Sequence, residues 1–505
     1  MQSRRLVALC LLAIGGGVVA DNGALGRPRR DGGDDKVAPG TVVKCELLLV
    51  LVMRGTADEA RAVDKEWHCS DAQGFAGKSL PVEGLPADLV FEAHGDNSIE
   101  FEAERPSRAG RYRAKKGSLL KVPSKRKPGA RRLEIREAGE SNVLIVRVST
   151  PSQAPTLSAT ELSDLAFSRE KGRVTLASQF DECSMGALQF VPKEGFGIVG
   201  GVVEVTVAAS SDDEVLRTTA SDALTAALRV ESLDDFFDHI MFVLPPGSGS
   251  WLAYAYLCNK VSVFNDDWAG AVSAQMHEVG HNLCKYHSGE GNSEYGDQSS
   301  IMGSSFKRLN GPKMCFDAAM SFDFGWYADH QSSLVVASQA GAFQLVGLAD
   351  YKKTQDGQLT VLRVTRVEGL AMHLMYNRKS GVNGGVNEFE DQVTVVSGGE
   401  NQYSTVLAGL SSGQAVTVPA FDGGFDLVIS VCEMSSSLKK GNEIPYAAIS
   451  VHLVDGAQAS QCATPPVPCI YSRGACGDDS ECCSGRCAAK QDGEKTCRAG
   501  MRGAR

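Results

Sequence analysis

Residues 275–287 read Gln-Met-His-Glu-Val-Gly-His-Asn-Leu-Cys-Lys-Tyr-His and contain the pattern His277-Glu278-x-x-His281. Positions i and i+4 lie on one face of a helix, so His277 and His281 can both direct an imidazole at one metal ion. Glu278 lies beside them, within reach of a water molecule on that ion. Two neutral nitrogen ligands, an open position for water and a carboxylate base are what a catalytic zinc site requires. The plain alternative is a helix that carries two surface histidines and a solvated glutamate.

A third histidine extends this pattern, because His287 follows shortly after His281. A zinc ion held by two histidines has room for one more protein ligand and a water molecule. If the helix ends between Leu283 and His287, the chain can fold back and bring His287 to the ion. The sequence therefore predicts Zn²⁺ as the cofactor, His277, His281 and His287 as its ligands, and Glu278 as the catalytic base.

The spacing of these residues resembles the signature of the metzincin metallopeptidases, which carry a methionine turn (the Met-turn) below the zinc. Ile301-Met302-Gly303 is similar to that turn. The resemblance implies that Met302 forms the apolar floor of the site, with an ordinary core methionine as the alternative. Cys284 departs from the signature, which has glycine there because the backbone needs a positive φ. An L-residue in that conformation costs about 1 kcal/mol or more.

Further segments are similar to the gametolysin family of metzincins, most clearly over about residues 174–330. They include residues 201–206, 244–247, 251–256 and 295–303. The resemblance implies a secreted zinc endopeptidase that hydrolyses extracellular-matrix or cell-wall (glyco)proteins, with Glu278 activating a zinc-bound water. Some metzincins have a tyrosine just after the Met-turn, but this chain has glycine and serine there, so the group that stabilises the oxyanion is left open.

The pattern of apolar residues predicts an α+β fold class with a metzincin-like catalytic domain, built from a twisted sheet and the zinc-binding helix. Asn265-Asp266-Asp267 is expected to cap that helix, which would run from Trp268 to about Leu283. A capping box at 211–214 is expected to start another helix, with Val215 on its apolar face. Flanking all-β domains and a small disulfide-rich C-terminal module complete the expected architecture.

Five divisions of the chain are predicted, and they follow changes in composition. They are a signal peptide at 1–20, an N-terminal β-rich region and candidate propeptide at 21–165, the zinc peptidase domain at 166–334, a β-sandwich-like accessory domain at 335–458 and a cysteine-rich module at 459–505. The basic segment 105–136 is interpreted as a solvated loop, with a processing site that would release a propeptide as the alternative.

Composition restricts the compartment and the partners. The net charge of -10 argues against nucleic acid as a partner. No run after the signal-like start reaches 18 apolar residues, so no transmembrane segment is expected. The chain has 15 cysteines, and loss of Cys10 with a signal peptide would leave an even number, as is typical of oxidised extracellular proteins. The predicted location is therefore extracellular, after secretion.

Two groups of cysteines have specific expectations. Cys45 and Cys69 are expected to form a disulfide, with the alternative that one of them is a latency thiol on the zinc. The C-terminal spacing resembles an inhibitor cystine knot, which implies the pairs 469–483, 476–487 and 482–497 and a role in attachment or substrate targeting. Cys462 would then remain to pair elsewhere, with Cys432 as a candidate.

Three functions are compatible with the sequence. The first is the zinc endopeptidase. The second is a catalytically impaired pseudopeptidase that binds the extracellular matrix or a cell surface, in which Cys284 spoils the turn and His287 misses the metal. The third is a zinc hydrolase of non-peptide bonds. The convergence of three imidazoles separates the first function from the second.

Overall fold

The structure, a computed structural model of the chain, describes most of the residues between 135 and 454 and parts of the regions on either side. The described residues are 17–19, 42–56, 59–70, 79–86, 89, 97–104, 112–121, 135–303, 313–336, 341–366, 371–399, 402–422, 424–435, 444–454, 462, 487–489 and 495–497.

Strands dominate the described residues, and helices are few. The strands are β1 Gly17–Val19, β2 Val42–Thr56, β3 Glu59–Ser70, β4 Ser79–Glu83, β5 Ser98–Glu102, β6 Tyr112–Arg113, β7 Leu120–Lys121, β8 Gly139–Ser149, β9 Leu188–Pro192, β10 Val202–Thr206, β11 His239–Leu244, β12 Trp251–Tyr256, β13 Val261–Asn265, β14 Ser288–Glu290, β15 Gln331–Val335, β16 Gly341–Val346, β17 Gln358–Leu359, β18 Val361–Thr365, β19 Ala371–Asn377, β20 Gln392–Gly398, β21 Ser404–Leu410, β22 Ala415–Asp422, β23 Phe425–Ser435, β24 Tyr446–Val454, β25 Cys487–Ala489 and β26 Lys495–Cys497. The α-helices are α1 Ala159–Phe167, α2 Leu176–Cys183, α3 Asp213–Leu228, α4 Val272–Asn282 and α5 Ala318–Phe324. Short 3-10 turns lie at Leu233–Asp235, Asp266–Gly270, Leu348–Lys353 and Gly381–Asn383.

The centre of the molecule is a mixed sheet in the order β10-β8-β11-β13-β12-β2. The strands from β10 to β13 are parallel, while β12 runs antiparallel to both β13 and β2. Residues 143–146 of strand β8 are all apolar. Alternate side chains point to opposite sides of a strand, so this part of β8 is apolar on both faces. Val143 and Ile145 pack with the helices α1, α2 and α4, whereas Leu144 and Val146 pack with α3. The sheet thus has helices on both faces, and the helix that contains the His-Glu pattern covers one of them.

Two helices begin at positions other than those predicted. The chain from Asp266 to Gly270 forms a 3-10 turn, and α4 begins only at Val272. Helix α3 is capped by the Asp212 side chain, which accepts the backbone N–H of Val215. Val215 itself is exposed, and the buried face of α3 consists of Leu216, Ala220 and Leu224 among others. Both differences arise because Asp, Asn and Ser favour turns and helix caps alike, so sequence alone leaves the first helical residue open.

The N-terminal strands continue the central sheet. Strand β2 pairs with β3 on one side, and on its other side it pairs with β5 through residues 42–46 and with β12 through residues 50–54. Strand β8, which lies inside the predicted N-terminal region, is in the middle of the sheet between β10 and β11. The sheet therefore runs across the domain boundary predicted at residue 165, because neighbours in a sheet need not be neighbours in the chain.

Residues beyond the central sheet form two further sheets, as the β-rich pattern predicts. One has the order β14-β21-β20-β19-β18-β15 and the other β17-β16-β24-β23-β22. Their facing side chains share one core, which includes Leu374, Val395, Leu427 and Ile449. Strand β14 comes from the chain just after His287 and pairs with β21, so the accessory sheets lie against the His-Glu region.

Disulfides join several of these elements. Cys45 bonds Cys69, and Cys432 bonds Cys462, as expected. Cys183–Cys315 and Cys258–Cys284 are two further disulfides that the sequence did not predict. Of the cystine-knot region, only β25 and β26 lie within the described residues.

Three parts of the chain lie wholly or mostly outside the described residues. They are most of the signal-like segment 1–20, all of residues 21–40 and most of the basic segment 105–136. Within the described part of the chain, no helix has the length and apolar character needed to cross a membrane.

Candidate metal centre

Helix α4 carries the first two histidines and is fixed against the sheet by its apolar side. Met276, Val279 and Leu283 are fully buried in the core on that face of the sheet. His277 and His281 lie one turn apart, and their ring centroids are 4.6 Å apart. The helical spacing therefore places the two imidazoles side by side, as predicted.

The third histidine joins them. His277, His281 and His287 each offer one ring nitrogen, and these nitrogens all lie within 4.8 Å of one another. All three residues are at most 1% exposed. The three histidines predicted from the sequence thus converge in one buried cluster. The pseudopeptidase interpretation requires the opposite, namely that His287 lies away from the other two.

Each imidazole is oriented by a hydrogen bond at its Nδ1 atom. His277 Nδ1 lies 3.0 Å from the carbonyl oxygen of Ile301, and His281 Nδ1 lies 2.7 Å from that of Lys285. His287 Nδ1 lies 2.7 Å from a carboxylate oxygen of Glu294. Carbonyl and carboxylate oxygens accept hydrogen bonds, so in each case the histidine Nδ1–H donates, which leaves the Nε2 lone pair for a ligand.

The Nε2 atoms of His281 and His287 are close enough together to bind the same metal ion. His281 Nε2 and His287 Nε2 are 3.1 Å apart, and two nitrogens bound to one tetrahedral zinc at about 2.05 Å would be roughly 3.4 Å apart. With both protons on Nδ1, two lone pairs face each other across this distance. A cation between them removes that repulsion, so the donor set and its geometry suit a bound metal.

Burial keeps the three imidazoles neutral. It lowers the pKa of His277 to about 4, against a weaker opposing effect of the Ile301 carbonyl. It also lowers the pKa of His281 and of His287 well below the ordinary value, with the neighbouring histidines acting in the same direction. Neutral imidazole is the form that binds metal.

Glu278 lies in the same buried region and is 0% exposed. Neither of its carboxylate oxygens has a hydrogen-bond partner in the part of the chain that the structure describes. Burial raises the pKa of this carboxyl group well above its usual range. A buried carboxylate without a partner is costly, and functional sites are where such groups are retained.

The Met-turn residues lie directly below helix α4. A Cβ atom on Gly280 would come within 2.5 Å of the Met302 sulfur, so the glycine in the His-Glu pattern makes room for Met302. The neighbouring carbonyl of Ile301 is the acceptor for His277, and the carbonyl of Met302 accepts the backbone N–H of Ser288 at 3.0 Å. Met302 is fully buried, and its role as the floor of the site stays a prediction.

Two residues of the site were missed by the sequence prediction. Glu294 orients His287, as described above. Tyr295 directs its hydroxyl group to His287 Nε2 at 2.8 Å, so the hydroxyl lies next to the histidine cluster. Burial raises the pKa of this phenol well above its ordinary value. The polar segment after His287 signalled a loop, but nothing in its composition indicated which of its residues would turn inward.

The N-terminal strands lie over the loop of the third histidine. Leu49 and Leu51 of β2 pack in one cluster with Tyr286. From β3, the amino group of Lys65 lies 3.6 Å from the Glu294 carboxylate and 4.1 Å from the centre of the Tyr403 ring. These contacts connect the N-terminal region with the residues next to the metal ligands.

The alternative in which Cys45 or Cys69 is a latency thiol on the zinc is contradicted by the structure. Cys45 and Cys69 are bonded to each other, on neighbouring strands β2 and β3. A sulfur in a disulfide cannot be a thiolate ligand, so neither cysteine caps the histidine cluster in this structure.

Comparison with known proteins agrees with this site. Residues 140–369 match the model of the family described as gametolysin peptidase M11. The match includes all three histidines, Glu278 and the Met-turn, and it extends beyond the range over which the sequence resemblance was clearest. No curated protein and no solved structure matches the chain. Residues 140–369 are therefore similar to the gametolysin peptidase M11 family, a family of metallopeptidases.

Proposed function

We propose that this protein is a secreted zinc metalloendopeptidase with a metzincin-like catalytic domain, and that it hydrolyses peptide bonds in extracellular-matrix or cell-wall (glyco)proteins. The observation that carries the proposal is the convergence of three neutral imidazoles beside the buried carboxylate of Glu278. The match of residues 140–369 to a family of metallopeptidases supports the peptide bond as the target.

His277, His281 and His287 would hold the zinc ion through their Nε2 atoms. Once bound, zinc supplies a Lewis acid that polarises a carbonyl group and lowers the pKa of a water molecule toward neutrality. Three protein ligands leave the remaining position open, as catalytic rather than structural zinc sites do.

Glu278 is assigned as the general base and acid. Its carboxylate would take a proton from the attacking water and later deliver that proton to the leaving amine of the substrate. The burial that raises its pKa makes it a stronger base toward water, because the proton is held better in a low-dielectric site.

Tyr295 is proposed to assist with the charge that develops on the carbonyl oxygen. Its hydroxyl group is a hydrogen-bond donor beside the cluster, 2.8 Å from His287 Nε2. A preorganised donor in a buried site stabilises an oxyanion effectively. Some metzincins carry a tyrosine just after the Met-turn. In this chain we propose that Tyr295, which precedes the Met-turn, takes its role.

The proposed activity is tested by hydrolysis of an unfolded protein substrate, with and without a zinc chelator. The Glu278→Gln variant should lose at least about a thousandfold in kcat while it retains zinc, because the base is removed and the ligands remain. Glu170→Gln is the matched control, since that side chain is 77% exposed. Full activity of Glu278→Gln, or activity that resists zinc removal, would refute the mechanism.

The N-terminal strands are proposed to be a pro-segment. Strand β2 pairs antiparallel with β12, which would otherwise be an edge of the sheet next to α4. An exposed edge of this kind is a common place for an extended peptide to bind. Release of β2 and β3 would also remove Lys65 from its contacts with Glu294 and Tyr403.

Secretion is proposed from the signal-like N-terminal sequence and the disulfides. Four disulfides lie within the described residues, and such bonds persist in oxidising compartments.

A further inference from the structure

We propose that the Cys258–Cys284 disulfide is a positioning element for the metal centre. It holds the left-handed turn that ends helix α4 and thereby directs His287 to the other two histidines. The effect on metal binding rests on the proposed function, whereas the effect on the turn is independent of it.

The turn at Cys284 has the backbone of a glycine cap. Its φ angle is 64°, in the left-handed region that L-residues rarely adopt. The Cys284 N–H donates to the carbonyl oxygen of His281 and the Lys285 N–H donates to that of Gly280, each at 2.9 Å. This pair of bonds is the Schellman arrangement, in which glycine is strongly preferred at the position that Cys284 occupies.

The disulfide ties this strained turn to the sheet. Cys258 lies in the connection between β12 and β13, and its backbone N–H donates to the same His281 carbonyl oxygen at 2.9 Å. Asn282 reinforces the junction, since its side-chain amide donates to the carbonyl oxygens of Tyr256 and Val261. Both cysteines are thus bonded, covalently and through hydrogen bonds, to the end of the helix that carries the ligands.

The turn at Cys284 also determines the positions of His281 and His287. The Lys285 carbonyl, the next residue along, accepts the Nδ1–H of His281 at 2.7 Å. His287 follows after two more residues and is flanked by the bond from Ser288 N–H to the Met302 carbonyl. If Cys284 left the left-handed region, the Lys285 carbonyl and the path to His287 would both move.

In this chain the disulfide therefore stabilises the left-handed turn that glycine allows in the metzincin signature. Glycine adopts the turn without strain, and cysteine is held in it by a covalent bond to the sheet. The prediction is that either device suffices and that a chain with neither loses the geometry of the third ligand.

The experiment compares three disulfide variants with the parent protein. Cys258→Ala/Cys284→Ala has neither device, and Cys258→Ala/Cys284→Gly restores glycine without the bond. Cys45→Ala/Cys69→Ala is the matched control, because it removes a disulfide of nearly equal span, 24 residues against 26. Zinc affinity is measured by competition with a chromogenic chelator. Hydrogen exchange of the backbone amides at 284 and 285 is measured in the metal-free protein.

We expect Cys258→Ala/Cys284→Ala to bind zinc at least about tenfold more weakly, as for the loss of other groups that orient ligands. Protection of the two amides should fall by a similar factor. The glycine variant and the control should stay within about threefold of the parent in both measurements, the usual range of a neutral change.

Parent-like affinity and exchange in Cys258→Ala/Cys284→Ala would overturn the proposal. So would a glycine variant as impaired as the alanine variant, or one that fails to fold, because glycine alone should then be sufficient. A parent protein that binds no zinc would refute the proposed function instead, while the exchange measurement would still decide the role of the disulfide.

Discussion

Gly303 is the residue of the Met-turn whose replacement should be most damaging. A Cβ atom at this position would lie 1.6 Å from the carbonyl oxygen of Asp297 and 2.6 Å from its carbonyl carbon. An ordinary carbon–oxygen contact is about 3.2 Å or longer, so Gly303→Ala must displace one backbone segment against the other by about 1.5 Å. Neither atom belongs to a flexible side chain that can turn aside.

This displacement would disturb the hydrogen bonds that hold the site. The carbonyl of Met302, the preceding residue, accepts the N–H of Ser288 at 3.0 Å, and the carbonyl of Ile301 accepts His277 Nδ1–H at the same distance. Loss of a buried hydrogen bond costs about 1–3 kcal/mol. We therefore expect Gly303→Ala to lower the free energy of unfolding by about 2–6 kcal/mol and to weaken zinc binding.

The assay is urea unfolding of the metal-free protein, together with zinc competition by a chelator. Gly399→Ala is the control, since a Cβ atom there would meet only the end of the Gln402 side chain, at 3.1 Å. It should stay within about 1 kcal/mol of the parent. A Gly303→Ala protein as stable as this control, with parent-like zinc affinity, would refute the geometry of the Met-turn.

Three other predictions follow, two next to the site and one at a buried ion pair on helix α3. Glu294→Ala should weaken zinc binding by about 10–100-fold, because His287 loses its acceptor, whereas Glu294→Gln keeps an acceptor and should bind more tightly than the alanine variant; equal affinities would contradict this. Burial raises the pKa of Asp297 from 3.8 to about 6. As the pH rises from 4 to 6, the free energy of unfolding of the parent should therefore fall by up to about 3 kcal/mol relative to Asp297→Asn, and the difference should stay constant at higher pH. Parallel pH profiles of the two proteins in urea unfolding would contradict this prediction. Arg217→Met leaves the Glu214 carboxylate without the guanidinium 2.6 Å away and should cost about 3–5 kcal/mol, most of which Glu214→Gln/Arg217→Met recovers; thermal unfolding that fails to show this recovery would contradict it.

The convergence of the three histidines could be predicted from the sequence because their geometry is local. His277 and His281 are one helical turn apart, and helix geometry alone brings their rings together. His287 required only that the helix end within a few residues. The Met-turn was harder, since the contact between Met302 and Gly280 joins residues far apart in the chain, and it was found through the resemblance to a family.

The residues that were missed depend on contacts that no local sequence pattern indicates. The pairing of Cys258 with Cys284 could not be derived, because cysteine positions do not determine connectivity. Without that bond, Cys284 could be interpreted only as a defect in the turn. Tyr295 and Glu294 lie in a polar loop, and which of its side chains point inward is decided by the packing of that loop against other segments.

The fold was predictable in outline and less so in its boundaries. The run Val143–Val146 indicates a short strand within the β-rich N-terminal region. Its place in the centre of the sheet depends on pairing with β10 and β11, which no local pattern reveals. The same is true of β2, whose apolar character was clear although its partner β12 was not.

The most direct test of the central claim is the zinc X-ray absorption spectrum of the purified protein, measured with its metal content. We expect one zinc ion per chain, coordinated by three imidazole nitrogens at about 2.0–2.1 Å and one oxygen. Replacement of His287 by alanine should reduce the imidazole contribution to two. A shell that contains sulfur, or one that is unchanged in the His287→Ala variant, would contradict the three-histidine centre.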